Sequence, residues 1–122
     1  MFIFKFLGIK PSPIPIWAVE PEHAAILAGG TIGTHLQMGI GDGLIPKNLN
    51  MNIYDDIYIV TDEEAISTAK ALASKEGIMC GISSGTNVAA AIKLAQKLGA
   101  GKTVVTVLPD TAERYFSTPL FE

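Results

Sequence analysis

The chain has 122 residues, of which 48% are hydrophobic and 17% are charged, a composition typical of a folded globular domain and not of a disordered segment. The formal net charge is −3 and no basic run occurs, so we expect no nucleic-acid partner. The single cysteine, Cys80, excludes an internal disulfide and favours a cytoplasmic location. No apolar run is long enough to span a bilayer, and the apolar start lacks the cleavage site of a signal peptide.

The first half of the chain predicts two short strands separated by a long loop. After a short apolar stretch at 2–7, which resembles the last turns of a helix, the sequence IPIWAV at 14–19 is β-prone, and Glu20 and Pro21 end it. Residues 22–50 are rich in glycine and predict a loop with one or two helical turns at 23–27. A loop of this length in a compact domain is usually functional or mobile. A second strand is predicted at 56–60 (DIYIV).

The second half predicts two helices and a third strand. Thr61 and Glu64 have the spacing of a capping box, which predicts a helix that runs to Glu76 and ends at Gly77. Another helix is predicted over 88–98, and the run TVVTVL at 103–108 predicts a strand buried on both faces. Strands that alternate with helices indicate an α/β fold with a mostly parallel sheet.

Three turns contain residues that suit ligand binding, and each has a simpler structural interpretation. In GISSG, Ser84 is either the N-cap of a helix over 86–98 or, with Ser83, part of a cradle for a polar ligand. Asp110 lies in a polar turn that either binds a ligand or is simply solvated. The glycine-rich stretch at 39–43 is either a ligand-facing loop or a flexible connection, and its spacing does not match a phosphate-binding motif.

The remaining candidates point away from metal and thiol chemistry. His23 and His35 are isolated from other ligand-type residues, so we expect no metal site. Cys80 lies in an apolar context, which favours a small buried residue over a nucleophile.

Several of these segments together resemble one family. The ordered series AVEP, GIGDGLIP, IVTDEEAI, GISSGTNVAAAIKLA and LPDTAERYFSTPLF is similar to the C-terminal part of the cysteine synthases, or O-acetylserine sulfhydrylases. These are fold-type II, tryptophan-synthase-β-like pyridoxal-phosphate enzymes. The resemblance implies part of a three-layer α/β/α mostly parallel sheet, with residues 1–122 as an incomplete C-terminal domain that binds pyridoxal 5'-phosphate.

The resemblance also implies site residues and a reaction. Ser83 is expected to hydrogen-bond the ring nitrogen of the cofactor, while Pro109 and Asp110 are expected to line its pyridine end. The substrate-side loop is expected to comprise Gly39, Gly41, Asp42 and Gly43. The implied reaction replaces the acetate of O-acetylserine by sulfide and gives L-cysteine.

Some features depart from the family pattern. Ala112 occupies a position that is usually glycine, and Met38 and Asp42 replace a common glutamine and a common alanine, which leaves the preferred substrate open. The family's Schiff-base lysine segment and its G-T-G-G-T phosphate cup do not occur in these 122 residues, so no catalytic residue is assigned and we expect the chain by itself to be inactive.

Several alternatives follow from the resemblance. One is a similar part of a cystathionine β-synthase, and another is a non-catalytic interaction protein. The expected partners are a separate N-terminal half, a second copy of the chain, or serine acetyltransferase.

Overall fold

The structure is a computed structural model that describes residues 14–121, so the apolar stretch at 2–7 lies outside the described residues. Its sheet consists of two parallel strands, β1 (Trp17–Pro21) and β2 (Asp56–Val60), in a register that pairs Trp17 with Asp56 and Pro21 with Val60. The predicted parallel pairing and the bounds of β2 are confirmed. β1 begins later than the expected 14–19, because the Ile16 amide donates to the Asp55 carboxylate (2.8 Å) and not to a ladder carbonyl, and it extends to Pro21, which pairs with Val60.

The helix α1 (Asp62–Glu76) follows β2 directly and confirms the predicted bounds. The Thr61 hydroxyl accepts a hydrogen bond from the Glu64 amide (3.1 Å), as expected for an N-cap residue. The expected return contact from the Glu64 side chain is absent, because its carboxylate accepts from the Tyr58 hydroxyl instead (3.5 Å). Gly77 ends the helix in the left-handed conformation, with φ of 68°.

The helix α2 (Ile82–Leu98) begins six residues before the predicted start at 88. Its N-cap is Gly81, whose carbonyl oxygen accepts from the amides of Ser84 (3.1 Å) and Gly85 (3.2 Å). Ser84 is therefore not the N-cap, and both serines lie in the first turn of α2. No helix within residues 14–121 is long and apolar enough to cross a membrane.

The helices α1 and α2 pack against each other, and α2 also contacts both strands. The approach is close, because a β-carbon on Gly85 would lie 2.9 Å from the Ala69 amide nitrogen and nearer still to the Ala65 carbonyl oxygen. The core between these elements is formed by small and medium apolar side chains, among them Val60, Ala65, Ala69, Ile82, Ala89 and Ala90. This contact fixes the position of the first turn of α2.

The prediction of a strand at 103–108 is wrong for the described residues. The segment forms no ladder within residues 14–121, and Val105 is 83% exposed. Its contact with the fold is polar, since the Asn87 side-chain amide donates to the Val107 carbonyl (2.8 Å). A β-branched run forms a strand only where a neighbour supplies ladder hydrogen bonds, and none of the described strands does so.

The predicted loop at 22–50 is irregular apart from a short 3-10 helix, Glu22–Ala24. Its first part is tied to β1 by Glu20, a buried carboxylate that accepts from the amides of Leu27 (2.8 Å) and Ala28 (3.1 Å). Backbone donors in this loop are thus satisfied by a side chain instead of a ladder.

Candidate functional site

The first turn of α2 contains two buried serines. Ser83 is 4% exposed and Ser84 is fully buried, and both follow the N-cap Gly81. The Ser84 hydroxyl has no hydrogen bond of ordinary geometry within residues 14–121. A buried hydroxyl without a partner costs free energy, so this helix start has hydrogen-bonding capacity that the described residues do not use.

Asp110 lies against the same helix start. Its carbonyl oxygen accepts from the Gly81 amide (3.2 Å), and one of its carboxylate oxygens accepts from the Tyr115 hydroxyl. The other oxygen, Oδ1, is buried without a partner within the described residues. A β-carbon on Gly81 would lie 2.5 Å from a Tyr115 ring carbon and 2.8 Å from the Asp110 carboxyl carbon, so only glycine fits between them.

Burial raises the pKa of two groups near this turn, the Tyr115 hydroxyl and the Cys80 thiol. Burial raises the pKa of Tyr115 to about 12, and the hydrogen bond and charge of Asp110 act in the same direction. Burial also raises the pKa of the Cys80 thiol; the nearby Ser84 hydroxyl lowers it, and the Asp110 charge raises it. Cys80 is 3% exposed, which confirms the interpretation of a small buried residue.

The segment after Asp110 is unstrained at the position that departs from the family pattern. Ala112 is buried and begins a 3-10 helix, Ala112–Tyr115, and no non-glycine residue among 14–121 has a positive φ. The exchange of glycine for alanine there introduces no left-handed strain. Thr111 pairs with Cys80 in an isolated antiparallel bridge, which holds this segment beside α2.

The glycine-rich loop at 39–43 has a backbone conformation that requires its glycines. Gly39, Gly41 and Gly43 have φ of 83°, 70° and 72°, values that only glycine adopts without strain. Gly41 is packed on one side, since a β-carbon there would lie 2.9 Å from the His35 ring. Asp42 is exposed.

Sequence reasoning missed Gln37, which joins this loop to the rest of the site. Gln37 is fully buried, and its amide nitrogen donates to the Val60 carbonyl (2.9 Å) and the Asp62 carboxylate (3.0 Å). Its amide oxygen accepts from the Thr86 hydroxyl on α2 (2.8 Å). The only signal in the sequence is a lone glutamine between Leu36 and Met38, which matches no motif.

The structure therefore brings some of the predicted residues together. Asp110 contacts Gly81, two residues before Ser83, at the start of α2, and Gln37 in the segment before the 39–43 loop hydrogen-bonds Thr86 of the same helix. Pro109 is exposed beside Asp110. Within the described part of the chain, no three His, Cys, Asp or Glu residues are grouped so that they could hold a metal ion.

Comparison with known proteins identifies the class. A family model for pyridoxal-phosphate dependent enzymes matches residues 2–110, and the chain belongs to this family. The chain is 51% identical over 117 residues to a cysteine synthase of Staphylococcus aureus (strain Mu50 / ATCC 700699). The match covers 96% of this chain and 38% of that relative, so the chain spans well under half of the relative's length.

Solved structures agree with this assignment. The crystal structure of a cysteine synthase from Entamoeba histolytica is similar with a TM-score of 0.87 and 42% identity, covering 92% of this chain and 33% of that one. The crystal structure of an O-acetylserine dependent cystathionine beta-synthase from Helicobacter pylori is similar with a TM-score of 0.81 and 41% identity, covering 89% of this chain and 35% of that one. The expected α/β fold and the resemblance to the cysteine synthases are confirmed.

Proposed function

We propose that this chain forms the C-terminal cofactor-binding part of a cysteine synthase, which replaces the acetate of O-acetylserine by sulfide and gives L-cysteine. The observation that supports this most directly is the pair of buried serines in the first turn of α2, placed beside Asp110 in a chain that is 51% identical to a cysteine synthase. The activity is proposed for the whole protein, because the chain spans 38% of that relative.

The start of α2 fits the pyridine end of pyridoxal phosphate. Within residues 14–121, Ser84 Oγ and Asp110 Oδ1 are buried without a hydrogen bond of ordinary geometry, which leaves polar groups beside Ser83 unused, while the space at Gly81 itself is filled by Asp110 and Tyr115. When bound, the cofactor supplies the electron sink that allows acetate to leave the substrate. In the proposal, Ser83 donates a hydrogen bond to the ring nitrogen, and Pro109 and Asp110 line that end of the ring.

The neutral serine suits this reaction. A carboxylate at the ring nitrogen would stabilise the protonated form of that nitrogen and strengthen the electron sink, whereas a hydroxyl leaves the nitrogen largely unprotonated. Asp110 is the nearby carboxylate, and one of its oxygens is engaged by the Tyr115 hydroxyl. Tyr115 thus holds that one oxygen, and Ser83 is the proposed contact to the ring nitrogen, while Asp110 lines the same end of the ring.

The loop formed by Gly39, Gly41, Asp42 and Gly43 is proposed to face the substrate. Glycines allow a ligand to approach the backbone closely. The exposed Asp42 carboxylate favours a second candidate function, cystathionine formation, because it would attract the ammonium group of a thiol such as homocysteine and has no such attraction for sulfide.

The test compares these two nucleophiles on the intact protein with added pyridoxal phosphate and O-acetylserine. We expect cysteine with sulfide, and little cystathionine with homocysteine. Ser83→Ala should lower the rate about fivefold, the effect of one neutral hydrogen bond, and should change the absorbance spectrum of the cofactor. Ser67→Ala, on the exposed side of α1, is the matched control and should change neither.

Two outcomes would count against the proposal. The first is a protein that binds the cofactor and forms no cysteine. The second is a Ser83→Ala variant whose rate and cofactor spectrum both match the wild type.

The proposal extends to location and partners. We propose a cytoplasmic enzyme whose small-molecule partners are an amino acid substrate and sulfide. A separate N-terminal half, a second copy of the chain and serine acetyltransferase are the proposed protein partners. Size-exclusion chromatography of the intact protein, alone and with serine acetyltransferase, tests the last two.

A further inference from the structure

A continuous series of hydrogen bonds connects α2 with the glycine-rich loop. It begins at the Thr86 hydroxyl, which donates to the Gln37 side-chain oxygen (2.8 Å). The Gln37 backbone amide then donates to His35 Nδ1 (3.1 Å), and His35 Nε2 lies 3.5 Å from the Gly41 carbonyl oxygen. Thr86 is three residues after Ser83, so the series starts within one helical turn of the proposed cofactor contact.

The geometry of Gln37 is fully determined by its neighbours. Its side-chain nitrogen donates both hydrogens, one to the Val60 carbonyl and one to the Asp62 carboxylate, and these acceptors cannot donate in return. Its oxygen accepts from Thr86. Because Gln37 and Thr86 are both fully buried, water cannot replace any of these bonds.

The His35 ring connects Gln37 to the glycine-rich loop. Since Nδ1 accepts from the Gln37 amide, the ring hydrogen resides on Nε2, which faces the Gly41 carbonyl. Gly41 is also enclosed sterically, because a β-carbon there would lie 2.9 Å from both His35 Nε2 and Pro21 Cγ. A shift of Gln37 would therefore move the His35 ring, which contacts Gly41.

We infer that Gln37 is a positioning residue, anchored by Thr86, that fixes the loop at 39–43 relative to the first turns of α2. The inference deepens the proposed function and rests on it in one respect: the proposed function is what assigns the loop to the substrate and the start of α2 to the cofactor. Gln37 acts in this inference without contacting either ligand, because its side-chain nitrogen and oxygen are engaged within the protein.

The test measures amide hydrogen exchange in the intact protein without cofactor, for wild type and three variants. Thr86→Val removes the hydroxyl at nearly constant volume and is expected to raise exchange in peptides that cover 35–43 about fivefold, the effect of one lost hydrogen bond. Thr86→Ser retains the hydroxyl and should match the wild type. Thr118→Val removes the hydroxyl of another buried threonine, 8% exposed, elsewhere in the fold and should leave the peptides at 35–43 unchanged.

The inference is overturned if Thr86→Val leaves exchange at 35–43 unchanged, or raises it equally in all peptides, as a general loss of stability would. If Thr86→Val does not fold, Gln37→Met is measured in its place and should give the same local pattern. The readout needs neither cofactor nor substrate. A protein that forms no cysteine but shows the local pattern refutes the proposed function alone, and the reverse result refutes this inference alone.

Discussion

The contact between α1 and α2 makes a prediction at Gly85 in which two physical effects have opposite signs. Gly85 lies inside a helix, where alanine is intrinsically better than glycine by about 1 kcal/mol. On that ground alone, Gly85→Ala would stabilise the protein. The structure predicts the reverse, because the added β-carbon would lie 2.9 Å from the Ala69 amide nitrogen and 3.0 Å from the Ala65 carbonyl carbon.

The size of the effect follows from what has to move. Favourable contacts between carbon atoms lie at about 3.5–4.0 Å, and the Ala65 carbonyl oxygen is nearer to the added β-carbon than the Ala69 nitrogen and the Ala65 carbonyl carbon are, so the two helices must separate by more than about 1 Å at this point. The neighbouring atoms belong to the backbone and cannot rotate away, so we take the upper end of the usual cost of overpacking, about 3 kcal/mol. After the gain in helix propensity is subtracted, Gly85→Ala should lower the free energy of unfolding by about 2 kcal/mol.

Urea-induced unfolding of the intact protein tests this reasoning. Ala95→Gly, at an exposed position of the same helix, measures the propensity difference alone and should cost about 1 kcal/mol. A Gly85→Ala variant as stable as the wild type, or more stable, would show that the helices are not packed as closely as the structure describes.

Two further predictions concern titration and exposed surface. The free energy of unfolding should fall as the pH rises from 10.0 to about 12. Burial and Asp110 raise the pKa of Tyr115 from 10.0 to about 12, so the folded state keeps the tyrosine proton at pH values where the unfolded state loses it. The raised pKa values of Tyr58 and Cys80 act in the same direction. Tyr115→Phe removes the largest contribution to this pH dependence, so the difference in free energy of unfolding between wild type and variant should narrow above pH 10.0. A difference that stays constant with pH would contradict the raised pKa of Tyr115. The 122-residue chain by itself should self-associate in sedimentation experiments, because Val105 is 83% exposed in a β-branched run, and Val105→Lys should reduce this; a monodisperse sample with a sharp thermal transition would contradict the expectation.

The elements that the sequence predicts correctly are those whose determinants are local. Thr61 and Gly77 bracket α1 because a hydroxyl cap and a left-handed glycine act on adjacent residues. The parallel pairing of β1 and β2 is the exception, because it joins segments 39 residues apart in the chain.

The features that the sequence did not predict depend on distant partners. The run at 103–108 has strand propensity, but the described residues offer it no ladder partner. Gln37 matters because of Thr86, which is 49 residues away along the chain, and no local pattern indicates that contact. The start of α2 was misjudged for a similar reason, since Gly85 is a poor interior helix residue that is stabilised there by its fit against α1.

The corrected start of α2 changes what the two serines are free to do. The hydroxyl oxygen of a serine at the N-cap would accept a hydrogen bond from a backbone amide of the first turn. Here Gly81 is the N-cap, in an extended conformation with φ of −76°, and it makes no side-chain cap. Its missing side chain lets Asp110 and Tyr115 close over the helix start, while Ser83 and Ser84 enter the first turn with their hydroxyls uncommitted to capping. Gly81 thus provides the room for Asp110, and because it is the N-cap neither serine is needed as a cap, which the proposed contact of Ser83 with the cofactor's ring nitrogen requires.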